Sequence, residues 1–217
     1  MPTYDVIVAG VGAMGSAACL ALAERGLRVL GLERYAVPND RGSSHGATRI
    51  IRKAYFEHPD YVPLLHEAYR LWEQIEAEAG VSLFHRSGLL LIGRSDGVVI
   101  PGVQRSAVEH ALDIHPVTEA ELARRFPMFR APPNAAVLFE RDAGYLCVED
   151  CVRAMADLAR RHGATILEGR HIIGWSLVGN GVQVTTADGE FTADRLVICG
   201  GPWAGRLLSD LSLPLEV

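Results

Sequence analysis

No stretch of this chain is basic enough to grip nucleic acid or an anionic membrane surface. Its 217 residues carry 21 Lys and Arg against 26 Asp and Glu, a net charge of −5, and that balance disfavours polyanionic partners. Also absent is any apolar run near the ~20 residues that span a bilayer. The N-terminus opens directly on a strand pattern, which leaves no room for a secretion signal. A cytoplasmic protein, with neither nucleic acid nor membrane as partner, is the expectation. Cysteine is scarce: Cys19, Cys147, Cys151 and Cys199. Cys147 and Cys151 stand near one another at a helix start without a matching Cys or His pair, so four convergent zinc ligands are missing. Reduced, mostly buried thiols and no metal are expected. Internal repeats and low-complexity tails are missing too.

What remains is 49% hydrophobic and 22% charged, ordinary values for a globular chain long enough for one large core or two small ones. "YDVIVAG" (4–10) is a short β-branched apolar run ending in glycine, as a buried parallel strand does. "AMGSAACLALAERG" (13–26) is built of small and helix-forming residues and stops at Gly26. "LRVLGLE" (27–33) reads as a second buried strand. Together they predict a right-handed βαβ unit.

A polar loop rich in Pro, Asn, Gly and Ser follows over 36–47. Tyr61, Leu65, Ala68, Trp72, Ile75 and Ala79 then alternate at spacings of four and three, which predicts one apolar helix face closed by Gly80. "SGLLLIG" (87–93) and "AAVLFE" (135–140) read as strands. Between them, 94–135 looks like an insertion or second lobe, with a capping box at Thr118 and Glu121. A helix is expected over 148–163. The turn signals "GNG" and "ADG" divide 164–201 into a β meander whose last run, "RLVICGG", rejoins the parallel sheet.

"GVGAMG" places Gly10, Gly12 and Gly15 in a G-x-G-x-x-G pattern. That pattern is weak by itself, but here it follows a strand, opens a helix and precedes Glu33 at the end of the next strand. Gly10 permits the tight turn, Gly12 lets a diphosphate approach the backbone, and Gly15 lets helix pack on sheet. The helix N-terminus offers N–H groups to phosphate. Glu33 is placed to accept from ribose hydroxyls and would repel a 2′-phosphate. Dinucleotide binding follows, but the loop does not choose between FAD and NAD.

The unusual stretch is "RGSSHGATRIIRKAY" (41–55), where Arg49 and Arg52 flank Ile50 and Ile51. Taken alone, two arginines three apart are a solvated face, and a histidine in a Gly/Ser loop is a surface residue. The combination of "AGVGAMGSAA", "RGSSHGATRIIRKAY", "AGYLCVEDCVRAMADLARRHGA" and "VICGGPWAGRLL", however, resembles the monomeric sarcosine oxidase and N-methyl-tryptophan oxidase family of FAD-dependent amine oxidases. The resemblance covers essentially the whole chain.

It implies an α/β fold: a Rossmann-like FAD-binding domain formed by 1–86 and 141–217, around part of a β-rich substrate domain at 87–140. FAD is the implied cofactor, and an amino acid and O2 are the implied small-molecule partners. His45 and Arg49 would lie near the flavin ring, where positive charge stabilises the reduced anion. Arg52 would bind the substrate carboxylate through paired hydrogen bonds. These three are the candidate catalytic residues. Ser43 and Ser44 would bond the cofactor, together with Gly10, Gly12, Ala13, Met14, Gly15, Glu33 and Arg34. The backbone of Ile172 would touch adenine, and Gly200, Gly201 and Trp203 would belong to the returning loop at the diphosphate.

The chain departs from that family at Ala47, where aspartate is usual, and at Lys53, where histidine is common. Family members also continue well beyond "LLSDLSLPLEV". The expectation is therefore an N-terminal half, possessing neither the oxygen-activating lysine nor the cysteine that attaches FAD. It would bind FAD weakly and without a covalent bond, and a complementary C-terminal fragment is a conceivable partner. Two alternatives stay open beside the oxidase: an FAD-dependent amino-acid dehydrogenase, and a non-catalytic FAD-binding module. A simple NAD enzyme is a third.

Overall fold

The computed structural model describes residues 4–209. Two compact units emerge. One takes in the chain up to Thr48, Glu78–Val81 and the chain from Cys147 onward; the other takes in Arg49–Ala77 and Ser82–Leu146.

The first unit opens with β1 (Tyr4–Ala9), α1 (Ala13–Ala23) and β2 (Val29–Leu32). Mostly within the second unit follow β3 (Thr48–Ile51), α2 (Tyr61–Ala79), β4 (Phe84–His85), β5 (Leu89–Arg94), α3 (Val99–Glu109), β6 (Ile114–Pro116), α4 (Glu119–Arg125), β7 (Ala135–Glu140) and β8 (Gly144–Cys147). The first unit resumes with α5 (Val148–Arg161), β9 (Thr165–Leu167), β10 (Ile172–Val178), β11 (Gly181–Thr186), β12 (Gly189–Ile198), a 3-10 turn over Gly201–Trp203, and α6 (Ala204–Leu207).

The sheet of the first unit has the order β10-β11-β12-β1-β2-β9. β1, β2, β9 and the end of β12 run parallel, and the rest is the expected meander. β12 serves both halves: residues 189–193 pair antiparallel with β11, and 193–198 pair parallel with β1. β9 departs from the expectation of a meander throughout 164–201. It pairs parallel with β2, from Leu30↔Thr165 to Leu32↔Leu167, because α5 carries the chain across as a crossover connection. Ile7, Leu30, Leu32, Val182, Val184 and Ala193 form one core cluster, with Trp175 and Phe191 against it. α1 packs on α5 and β2; its small buried residues Gly15, Ser16, Cys19 and Ala23 allow that close approach.

The second unit holds two three-stranded sheets, β3-β8-β4 and β5-β7-β6. The compact units are drawn differently from the division expected from the sequence. Much of α2 joins the second unit, where Tyr69 and Trp72 pack with Ile51, Phe84 and Leu146. Tyr61, the first residue of the predicted face, is exposed; the buried positions are Val62 and Tyr69. α3 was hidden in the sequence by Pro101 and Gly102. Proline is tolerated in a first turn, and a Cβ at Gly102 would stand 2.2 Å from the Phe56 carbonyl oxygen. Thr118 caps α4 by accepting the Glu121 N–H at 3.2 Å, while the Glu121 side chain reaches forward to Arg125.

A Cβ on Gly15 would stand 1.9 Å from the Gly10 carbonyl oxygen, so the first turn of α1 sits directly on the glycine turn. Gly15→Ala should therefore cost about 1–3 kcal/mol, as overpacking does. Gly174→Ala, where no atom lies within 4 Å, should cost far less. Denaturant unfolding of the two variants checks the contrast.

Candidate functional site

Within the first unit, a cleft of about 560 Å³ opens at the carboxyl ends of β1, β2 and β12, where open parallel sheets hold ligands. Ala9, Leu32 and Ile198 mark those strand ends, and the glycine turn forms its floor. Gly10 has φ +93°, and a Cβ there would stand 2.5 Å from the Cys199 carbonyl oxygen. Only glycine combines that backbone with that approach.

Two side chains hold the turn. Glu33, buried at 8% exposure, accepts the Val11 N–H at 2.8 Å through Oε2 and the Tyr35 N–H at 3.0 Å through Oε1. Ser44 reaches back along the chain to accept the Ala13 N–H at 3.0 Å through Oγ. It thereby caps α1, whose own N-cap residue, Gly12, has no side chain to do so. Helix geometry leaves the amides of Gly12, Met14 and Gly15 without intrahelical acceptors, so the turn still presents donors where a diphosphate would lie. Glu33 thus has a structural task the sequence did not disclose, and it also lines the cleft.

The loop beyond Ser44 is fixed in turn by Glu149, in the first turn of α5. Its Oε1 accepts the Gly46 N–H at 2.9 Å, and its Oε2 accepts the Ala47 N–H at 3.1 Å. Val148 donates to the Ala47 carbonyl at 3.0 Å. Gly46 and Ala47 are consecutive left-handed residues, with φ +97° and +57°, which turns both amides toward one carboxylate. The Gly46 N–H is the largest influence holding Glu149 below the usual carboxylate range; the Ala47 N–H and the charge of His45 act in the same direction.

Of the residues singled out in the sequence, Gly10, Gly12, Ala13, Met14, Glu33, Arg34, Ser43, Ser44, Ile172, Gly200, Gly201 and Trp203 all line the cleft. Gly15 lies beneath it. His45, half-buried on the same loop, lies outside the lining. Arg49 and Arg52 belong to the second unit. Arg49 is exposed on β3. Arg52 meets Glu57 at 3.5 Å and stacks 4.4 Å from the centre of the Tyr55 ring. Lys53 is committed elsewhere, with Nζ 2.6 Å from Asp142.

Residues missed in the sequence include Tyr35, whose ring lies 6.2 Å from that of Trp203 and beneath the Arg34 and Arg41 guanidiniums, and Arg170 and His171. Asn39 in "PND" accepts the Arg41 N–H at 3.0 Å and shapes the loop after Tyr35, but no motif marks Tyr35 itself. Cys199 also lines the cleft, and burial pushes its thiol upward; burial pushes Cys19 up to about 12. Both shifts disfavour the nucleophilic thiolate.

The residues fit a dinucleotide such as FAD: a Cβ-free floor, first-turn amides and a cleft of sufficient size. Gly10, Gly12, Met14, Ser43 and the Gly200–Gly201 loop are the groups that would hold it. Left-handed Ala47 carries strain of about 1–2 kcal/mol that glycine avoids, so Ala47→Gly should raise stability by up to about 1 kcal/mol. Glu149, with its lowered value, stabilises the fold above the usual carboxylate range and loses that contribution as pH falls through the lower folded value. Thermal melts taken at falling pH should therefore show a steeper acid loss in the wild type than in Glu149→Gln.

Comparison with known proteins is consistent with this geometry. Residues 5–217 match the family DAO, FAD dependent oxidoreductase. A monomeric sarcosine oxidase of Streptomyces avermitilis is 43% identical over 100% of this chain and 56% of its own length. An N-methyl-L-tryptophan oxidase of Yersinia pestis is 35% identical over 96% of this chain, again 56% of its own length. The solved structure of NikD, an unusual amino acid oxidase essential for nikkomycin biosynthesis, superposes with a TM-score of 0.87 at 31% identity, over 97% of this chain and 55% of NikD. An L-proline dehydrogenase from P. horikoshii shares the fold, with a TM-score of 0.83 at 21% identity. The chain spans about half the length of the curated relatives it matches. It belongs to the DAO family of FAD-dependent oxidoreductases.

Proposed function

We propose that this chain supplies the cofactor-holding part and the first substrate contacts of an FAD-dependent oxidase of secondary or N-methylated amino acids. The observation that carries the reading is the glycine-floored cleft, in a chain 43% identical to a sarcosine oxidase. FAD, when bound, supplies the two-electron acceptor for oxidation of the substrate C–N bond to an imine, which water hydrolyses, while O2 goes to H2O2.

The chain's own residues then have distinct tasks. The glycine turn and the first turn of α1 hold the diphosphate through backbone N–H groups, and Ser43 adds a hydroxyl. Glu149 fixes the loop from which His45 projects. His45 and Arg49 lie at the ring system in this reading, where the charge of the Arg49 guanidinium would favour its reduced form.

Arg52 takes the substrate carboxylate. Its planar fork offers paired donors; the Tyr55 ring covers one guanidinium face and Glu57 stands 3.5 Å from Nη2, so the substrate carboxylate would take the place of the Glu57 carboxylate there. Lys53, paired with Asp142, takes no part. An FAD-binding part is made from both ends of the chain, 1–86 and 141–217, and a substrate part from its middle, 87–140.

The test uses the full-length FAD-loaded protein with sarcosine, N-methyl-L-tryptophan and pipecolate. Amine-dependent H2O2 is expected. Flavin bleaching without peroxide would instead indicate a dehydrogenase, and bound FAD with neither signal a binding module. Arg52→Ala should lower kcat/KM about 10–100-fold, the loss of a charged hydrogen-bonded contact. Arg52→Lys should recover only part of it, because an ammonium lacks the fork.

A further inference from the structure

Glu140, the last residue of β7, is 2% exposed. Its Oε1 accepts the Lys53 N–H at 2.6 Å and the Ala54 N–H at 3.4 Å, while its Oε2 is buried without a hydrogen-bond partner. Burial pushes this carboxyl above the usual range, against the pull of those two amides and of the Arg52 and Lys53 charges. An apolar side chain of similar volume would avoid that penalty. The carboxyl is therefore better explained by what it grips than by what it contributes to stability. It grips the main chain directly after Arg52.

The same turn is held from α3. Ser106, buried, donates its hydroxyl to the Tyr55 carbonyl at 2.6 Å. Gly102 lets the Phe56 carbonyl come so close that a Cβ would stand 2.2 Å from it. Residues 53–56 are thus pinned in succession by β7 and α3. The Arg52 guanidinium lies over the Tyr55 ring and 3.5 Å from Glu57, so fixing this turn constrains both neighbours that orient it.

We propose that Glu140 is a positioning residue for carboxylate recognition: by clamping the Lys53 and Ala54 amides it aims Arg52, with Ser106 acting on the same turn through Tyr55. This rests on the reading of Arg52 as the carboxylate receptor. A static mould for the substrate anion is then built from groups that never touch it.

The experiment compares Glu140→Gln, Glu140→Leu and Ser106→Ala, with Arg52→Ala as reference, in the full-length FAD-loaded protein. The Kd for acetate, an unreactive carboxylate, is read from its perturbation of the flavin absorbance, and sarcosine kinetics are read alongside. Glu140→Leu should raise the acetate Kd and the sarcosine KM about tenfold, while kcat stays within about twofold. Glu140→Gln, whose amide oxygen still accepts, should stay within about twofold of wild type. Ser106→Ala should raise the acetate Kd about threefold.

An unchanged acetate Kd in Glu140→Leu, a fall in kcat with KM held, or a Gln variant as impaired as the Leu variant would overturn the proposal. Should Glu140→Leu not fold, an unchanged Kd in Ser106→Ala does so. If Arg52→Ala itself leaves acetate binding unaltered, the Arg52 reading fails first. If Arg52→Ala weakens acetate and the Glu140 and Ser106 variants do not, only the positioning role fails.

Discussion

A glutamate carboxylate closing on two backbone amides is the contact that the functional parts of this molecule depend on. Glu33 closes on Val11 and Tyr35 and holds the glycine turn against the end of β2. Glu149 closes on Gly46 and Ala47 and holds the loop of His45. Glu140 closes on Lys53 and Ala54, directly after Arg52. Glu76 closes on Leu83 and Phe84 and ties the end of α2 to β4. Loops carry the chemistry but lack ladders to order them, and a charged acceptor for paired N–H groups substitutes for a ladder at little cost in chain length.

Much of the first unit was legible because its elements are locally encoded. The run 4–10, the small-residue helix after Gly12 and the hairpin turns at Gly179 and Asp188 each announce themselves within a few residues. β9 was misplaced because its partner, β2, lies far away in sequence, and a three-residue strand carries no period of its own. The second unit was harder. α3 shows a proline and a glycine where a helix reader expects neither, and the need for Gly102 arises only from the Phe56 carbonyl across the fold. The clamps on Val11, Gly46 and Lys53 were invisible for the same reason: nothing local marks which of many glutamates will fold back onto a distant amide.

The site was legible in its floor and less so in its walls. Glycines at fixed spacing between a strand and a helix report a backbone requirement, which is why Gly10, Gly12 and Gly15 stood out once their context was read with them. Tyr35 and Arg170 reach the cleft because β2 and β9 end side by side there, a fact of topology rather than of motif. Ala47 is instructive in another way. Family resemblance marked it as a departure from aspartate, and the structure shows a left-handed residue, φ +57°, a backbone that aspartate and asparagine tolerate better than alanine. The Glu149 clamp keeps the loop in that shape without the usual residue.

Chemically alike clamps diverge electrically according to where they lie. At Glu149, in contact with solvent, the amides outweigh desolvation and the carboxyl is held below its usual range. At Glu140, buried, desolvation outweighs the amides and the nearby Arg52 and Lys53 charges, and the carboxyl is pushed above it. An amide side chain would lose one of the two acceptor oxygens that Glu149 uses, yet at Glu140 it would keep the single oxygen that carries both contacts. Glu149 therefore depends on its charge and both its oxygens, whereas Glu140 depends on one oxygen held in place. Burial decides the direction of each shift: the Glu149 clamp is lost only in acid below the usual carboxylate range, whereas Glu140 takes up its proton more readily and still offers Oε1 as an acceptor.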